Sequence, residues 1–159
     1  MKVKDCMTKA VITVKRSTTL AELIEVFRRF NYHTLPVVEE EERLVGIVTF
    51  EDIWKVFQPH GVDVTRMLKT IPFLGEVSEE EDVLLADISA EMGRLVVVDD
   101  LMNTQFVTVD EDMDISRVRN LMRVHSVNRL PVVKAGRLAG IISLFDIILA
   151  IFREKGVVE

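Results

Sequence analysis

The feature that most constrains this chain is a phrase that it contains twice. Residues 46–53 read GIVTFEDI and residues 140–147 read GIISLFDI. A shift of 95 positions also places Leu35–Val38 on Leu130–Val133, and the turn that follows differs in length by one residue. Repetition on this scale indicates that the chain is built from two copies of one unit.

Each copy has the same predicted order of elements, β-α-β-β-α. The first helix opens at Thr19 with Glu22 three residues later, which is the spacing of a capping box, and Asp114 is the predicted cap of the equivalent helix. The phrase ends the last strand and begins the second helix. The predicted strands are Val11–Val14, Leu35–Val38 and Leu44–Thr49 in the first unit and Phe106–Val109, Leu130–Val133 and Leu138–Ser143 in the second.

The repeat also predicts the domain organisation. We expect a first unit at residues 1–57, a partly helical linker at 58–97 and a second unit at 98–159. Within the linker, Thr65–Thr70 is a predicted helical turn, the capping box at Ser78–Glu81 predicts a helix that ends at Gly93, and Arg94–Val98 is a predicted strand. One small unit cannot cover both faces of its sheet, so two units packed face to face would bury one shared core. The cleft between them would be lined by equivalent positions from both units.

Composition excludes several classes of function. The net charge of −6 argues against a nucleic-acid-binding protein, which would carry a basic face. The single cysteine, Cys6, excludes an internal disulfide and fits a reducing cytoplasm, and its repeat counterpart is Leu101, which favours a structural thiol over a reactive one. The histidines show no zinc-ligand spacing, and no nucleophile or phosphate-loop motif is present. The most apolar run, Ile141–Phe152, is too short to span a membrane. We therefore expect a cytoplasmic protein that is not an enzyme.

The duplicated signs resemble the CBS-domain family, and the pair resembles a Bateman module. These signs are an Asp-x-Met opening, a Thr-Val before the first helix, Leu-Pro-Val-Val, and the phrase itself. The resemblance implies an α/β (α+β) fold of two pseudo-symmetric CBS units packed sheet to sheet. It also implies a regulatory module that is not catalytic and requires no cofactor. Its ligand would be an adenosine compound such as AMP, ADP, ATP or S-adenosylmethionine, with or without Mg²⁺.

The end of each phrase is a candidate ligand site. Thr49 and Asp52 in the first unit, and Ser143 and Asp146 in the second, are a hydroxyl and an acid three residues apart. One interpretation is a helix cap that needs no ligand. The other is a nucleotide site, because a helix N-terminus attracts phosphate and a carboxylate accepts hydrogen bonds from a ribose diol. The resemblance assigns the aspartate to ribose and the hydroxyl residue to the lining of the site.

Four more residues complete the candidate site. Arg129 stands just before Leu-Pro in the second unit, where the resemblance implies a phosphate-binding basic residue, and the alternative is a surface ion pair. The first unit departs from this pattern with Thr34, although a protonated His33 could contribute. Thr13 and Thr108, on the first strand of each unit, are the candidates to contact adenine.

The last predicted helix carries apolar residues on all sides. Residues 147–152 read IILAIF, so one face has to be covered by something other than its own unit. We expect a second copy of the chain to cover it, which makes the protein a homodimer. The module would then signal in trans to an effector protein. The alternative is a structural dimerisation or scaffold pair that binds no nucleotide.

Overall fold

The computed structural model of this protein describes residues 1–30, 32–57 and 90–159. It is a mixed α/β fold, as predicted. The first unit contains α1 (Val3–Cys6), α2 (Leu20–Phe30), β1 (Thr34–Val38), β2 (Leu44–Thr49) and α3 (Phe50–Phe57). The second part contains α4 (Ala90–Leu95), α5 (Val98–Leu101), β3 (Val109–Asp110), α6 (Ile115–Val124), β4 (Arg129–Lys134), β5 (Arg137–Ser143) and α7 (Leu144–Glu154).

The first helix of each unit begins near the predicted residue, but the two caps differ. The Thr19 N–H donates to Glu22 Oε2 at 2.8 Å, and the Glu22 N–H donates to Thr19 Oγ1 at 3.3 Å, which is the predicted capping box. Asp114 occupies the N-cap of α6, but its side chain makes no capping bond. Its carboxylate instead lies 3.1 Å from the Lys2 ammonium group, a partner distant in sequence. Asp114 is therefore the N-cap residue, as predicted, but it caps the helix without a side-chain hydrogen bond.

The first strand of each unit is much shorter than predicted. β1 pairs with β2 and β4 with β5, both antiparallel. Of the predicted strand at residues 11–14, only Val14 bridges Val37, and β3 covers only Val109–Asp110, parallel to β4. The cause is proline: the next ladder bond toward the N-terminus would need an N–H from Pro36, or from Pro131 in the second unit, and proline has none.

The end of the linker is helical where a strand was predicted. α4 continues past Gly93 to Leu95, and only Val97 forms a single bridge, to Thr19. A β-carbon on Gly93 would lie 3.5 Å from Ala21, so α4 packs closely on α2. The predicted strand at 94–98 is therefore wrong. The linker predictions at 65–70 and 78–81 lie outside the described residues.

The two units exchange their opening segments, which are residues 2–8 (the first opening segment) and residues 97–103 (the second opening segment). The Val3 N–H donates to the Met113 carbonyl at 3.0 Å, so the first segment docks on the second unit. The Val98 N–H donates to the Thr18 carbonyl at 2.8 Å, so the second segment docks on the first unit. Neither the repeat nor the predicted domain limits indicated this crossing.

Among the residues that the structure describes, the buried side chains form two cores, not the single shared core that we expected. One core lies in the first unit and includes Val98 of the second opening segment. The other lies in the second unit and includes Val3 of the first opening segment. Both valines are fully buried. Each core is closed by the other unit's opening segment, so each unit has its own interior.

Candidate ligand-binding site

The glycine of each phrase lies where an opening segment crosses. A β-carbon on Gly140 would lie 2.6 Å from the Thr8 carbonyl oxygen and 3.0 Å from Met7 Sδ. A β-carbon on Gly46 would lie 2.6 Å from Met102 Sδ. A contact this short to a backbone carbonyl is not relieved cheaply, so at position 140 only glycine lets the opening segment approach β5. At Gly46 it is the flexible Met102 side chain that would have to move. This explains the first residue of the phrase without a ligand.

The end of the second phrase forms a complete capping box. The Ser143 N–H and hydroxyl donate to Asp146 Oδ2 at 2.7 and 2.6 Å, and the Asp146 N–H donates to Ser143 Oγ at 3.1 Å. Ser143 and Asp146 therefore do form the helix cap at α7. It uses one carboxylate oxygen only. Within the parts of the chain that the structure describes, Asp146 Oδ1 makes no hydrogen bond, and the side chain is half-buried.

The first phrase forms the same box but uses its carboxylate more fully. Thr49 N–H and Oγ1 both donate to Asp52 Oδ2 at 2.8 Å. Asp52 Oδ1 accepts from Lys55 Nζ at 3.1 Å, and only 12% of the Asp52 side chain is exposed. The position equivalent to Lys55 in the second unit is Leu149, which cannot donate. The two aspartates therefore differ in what they can offer to a ligand.

The strand register brings Arg129 to the second capping box. Arg129 on β4 lies directly opposite Ser143 on β5, and the Arg129 side chain is exposed. Residues opposite each other on antiparallel strands point to the same face of the sheet. Among residues 1–30, 32–57 and 90–159, Arg129 forms no ion pair, so the surface ion pair that we considered is not formed there. Arg129, Ser143 and Asp146 are thus brought together.

The position equivalent to Arg129 in the first unit offers no positive charge to an anionic ligand. Thr34 lies opposite Thr49, and neither is basic. His33 is exposed, and its carbonyl accepts from the Phe50 N–H at 3.1 Å at the start of α3. The backbone of His33 therefore lies beside the first residue of α3, next to the first capping box.

Thr13 and Thr108 are not linked by hydrogen bonds to either capping box in the described residues. Each stands immediately before the short first strand and is half-buried. Thr13 lines a groove of about 1050 Å³ between the turn at residues 39–43 and the turn at residues 135–137. None of the other predicted site residues lines that groove, which lies at the opposite end of the strands from the two capping boxes.

Sequence reasoning missed the position of Cys6. The crossing of the first opening segment brings this thiol toward α7, so burial first and the negative charge of Asp146 second raise the pKa of Cys6. The Cys6 Sγ also lies 3.6 Å from the Val3 carbonyl oxygen. No sequence signal predicted this proximity, because the two residues lie in different copies of the repeat.

Two classes of site are not found in the described residues. No cluster of histidine, cysteine, aspartate and glutamate there could hold a metal ion. No helix in the same residues is both long and apolar enough to cross a membrane. The candidate ligand site therefore consists of the two capping boxes and of Arg129, which lies beside the second one.

Comparison with known proteins gives a consistent result. The sequence model of the CBS domain family matches residues 3–53 and 86–153. A CBS domain-containing protein of Dictyostelium discoideum is 31% identical over 147 residues, which cover 92% of this chain and 88% of that protein. The crystal structure of CBSX2 in complex with AMP superposes with a TM-score of 0.70 at 24% identity, over 97% of this chain and 98% of that one. The CBS domain pair of protein MJ0100, in complex with 5′-methylthioadenosine and S-adenosyl-L-methionine, superposes with a TM-score of 0.65 at 23% identity, over 98% of both chains.

Proposed function

Because this chain belongs to the CBS domain family, we propose that it is a regulatory module that binds an adenosine compound at the end of the second phrase. Binding would change the state of an effector protein in trans. The observation that carries the proposal is the asymmetric use of the Asp146 carboxylate. One oxygen is held by the capping box, and the other accepts no hydrogen bond from the residues that the structure describes.

The groups at the N-terminus of α7 suit a nucleoside that carries an anionic group. The two hydroxyls of a ribose are donors, and Asp146 Oδ1 is an acceptor fixed in position by the bonds to Oδ2. The guanidinium of Arg129, opposite Ser143, has the planar fork that binds phosphate in two places. The N-terminus of α7, an 11-residue helix, adds partial positive charge on the same side.

The relatives support an adenosine compound rather than a particular one. The ligands named for CBSX2 and MJ0100 are AMP, 5′-methylthioadenosine and S-adenosyl-L-methionine. All three ligands contain adenosine, but only AMP carries a phosphate. We therefore propose that ribose recognition by Asp146 is the common element, and that Arg129 favours phosphorylated ligands such as AMP, ADP or ATP. Mg²⁺ would enter only with a polyphosphate.

The first unit would provide a second, weaker site. Thr49, Asp52 and His33 are its candidate residues, but Lys55 already holds the available oxygen of Asp52. A ligand there would have to displace that ion pair. We assign adenine contacts to Thr108 and Thr13 as further proposals, because both are half-buried beside a strand.

The deciding experiment is isothermal titration of AMP, ATP, S-adenosylmethionine and GTP, with and without Mg²⁺, into the protein and two variants. Asp146→Asn keeps an oxygen for the capping bonds but replaces the free acceptor with a donor, so adenosine affinity should fall at least tenfold with Tm unchanged. The matched variant Asp52→Asn should have a smaller effect. If the Asp146→Asn protein binds as tightly as the parent, the ligand lies elsewhere.

A second candidate function rests on exposed apolar side chains. Along one side of α7, Phe145, Ile148 and Phe152 are 68%, 43% and 46% exposed, and Trp54 on α3 is 48% exposed. Surfaces of this kind mark association sites. A structural dimerisation or scaffold module would use this face and bind no nucleotide. Absence of any heat with every nucleotide, together with a stable dimer, would favour this function over ligand sensing.

A further inference from the structure

The two turns that receive the opening segments carry opposite charges. Residues 15–19 read KRSTT, a basic turn, and residues 110–114 read DEDMD, an acidic turn. The turns are structurally equivalent, since the Lys4 N–H donates to the Glu111 carbonyl at 2.9 Å and the Asp99 N–H donates to the Arg16 carbonyl at 3.0 Å. The same backbone socket is therefore built twice with opposite charge.

Each opening segment carries the charge that complements the turn on which it docks. In the first segment, Lys4 Nζ lies 2.6 Å from an Asp112 carboxylate oxygen. This pair raises the pKa of Lys4 and lowers that of Asp112, chiefly through their hydrogen bond. In the second segment, Asp99 lies 3.6 Å from Arg16 of the basic turn. Both docked segments are thus held by attraction.

A third pair of equivalent positions also carries opposite charges in the two units. Arg16 lies 3.0 Å from Glu39. In the second unit, Glu111 pairs with Lys134, and both charges are reversed. Three sets of equivalent positions therefore carry opposite charges: Lys4 and Asp99, Arg16 and Glu111, Glu39 and Lys134.

The two opening segments present the same apolar side chain to their sockets at two positions. Val3 and Val98 are the same residue type, and both are fully buried. Met7 and Met102 are also the same type, and each packs over the glycine of a phrase. Cys6 and Leu101 differ in size, but both are partly buried against a core, so most apolar contacts of the two segments are alike.

We propose that the charges decide which opening segment docks on which unit. If each segment docked on the turn of its own unit, the backbone bonds would be the same, but Lys4 would face Arg16 and Asp99 would face Glu111. The crossed arrangement replaces these repulsions with attractions. Single exposed ion pairs contribute little, but here two like-charge contacts are exchanged for opposite-charge contacts at once. The preference is electrostatic and is weakened by salt.

The test is a variant that exchanges the charges of the two segments, Lys4→Asp with Asp99→Lys, which leaves the net charge unchanged. Docking is reported by disulfides in a Cys6→Ala background. Thr8→Cys with Ile141→Cys reports crossed docking, because Thr8 and Ile141 are bridged in the structure. Thr8→Cys with Ile47→Cys reports uncrossed docking, because Ile47 is the equivalent of Ile141 and bridges Asn103.

In low salt, the parent should form the crossed disulfide within one chain. The exchanged variant should form less of it and should lose about 3 °C or more in Tm. The difference should nearly vanish in 1 M NaCl. An unchanged yield of the crossed disulfide, or a Tm loss that is as large in 1 M NaCl, would overturn the proposal.

A variant with one reversed charge tests the same proposal if the doubly exchanged variant does not fold. Lys4→Asp alone should lower Tm in low salt, and adding Asp112→Lys should restore most of the loss by re-forming an ion pair. The matched control is Lys9→Asp, at an exposed lysine just outside the segment, which should change Tm much less. If Asp112→Lys gives no rescue, or if Lys9→Asp is as harmful as Lys4→Asp, the docking charges are not selective.

Discussion

The carbonyl oxygen of Thr8 lies 2.6 Å from the point that a β-carbon would occupy on Gly140. The equivalent contact in the first unit differs in kind, because the nearest atom to a β-carbon on Gly46 is the sulfur of the Met102 side chain, also at 2.6 Å. A methionine side chain can rotate away, whereas a hydrogen-bonded backbone cannot. The two glycines of the repeated phrase therefore differ in how strictly each is required.

This difference predicts unequal costs for two matched substitutions. Gly140→Ala should lower the free energy of unfolding by about 2–3 kcal/mol, because the first opening segment must move away from β5. Gly46→Ala should cost about 1 kcal/mol, since Met102 can adapt. Urea unfolding of both variants measures the costs. Equal losses at the two positions would show that the opening segment yields as readily as a side chain.

The pairing of Lys55 with Asp52 predicts a gain of function. Lys55→Leu copies the second unit, where Leu149 stands at that position, and it leaves Asp52 Oδ1 free to accept from a ribose. Titration with AMP should then show a higher stoichiometry than for the parent. Lys55→Arg, which keeps the ion pair, is the control and should behave as the parent does. An unchanged stoichiometry in Lys55→Leu would show that this ion pair does not limit the first site.

The exposed stripe on α7 predicts a homodimer. Phe145→Glu with Ile148→Glu should convert a dimeric mass to a monomeric one by light scattering at micromolar concentration, because both side chains are exposed in the single chain. Val124→Glu places a charge at another exposed apolar residue, on α6, and should leave the mass unchanged. A parent protein that is already monomeric would exclude this interface.

The raised pKa of Cys6 predicts slow alkylation that depends on Asp146. Burial and the Asp146 charge both favour the protonated thiol, so fewer thiolates are present at a given pH than for a free cysteine. The alkylation profile should be displaced to higher pH. Asp146→Asn removes the negative charge, so it should lower the pKa and speed alkylation at pH 8 in the absence of ligand. Identical profiles for the two proteins would show that Asp146 has no influence on the thiol.

The sequence by itself determined what depends on residues close together in the chain. The caps at Thr19, Thr49 and Ser143 join residues three apart, so spacing alone was enough to predict them. The order of the longer helices and the two antiparallel strands of each unit followed from the repeat, and the family followed from the motifs, whereas the short helices α1 and α5 were not predicted. Even the short first strands had a local cause, since Pro36 and Pro131 are visible in the sequence.

Only the tertiary structure decided which distant residues meet. The register of β4 and β5 placed Arg129 opposite Ser143, and the crossing of the opening segments brought Cys6 toward Asp146 and divided the interior into two cores. Hydrophobic periodicity could not predict the crossing, because Val3 and Val98 are interchangeable by shape. Which socket each segment occupies depends on contacts between residues about a hundred positions apart, such as Lys4 with Asp112.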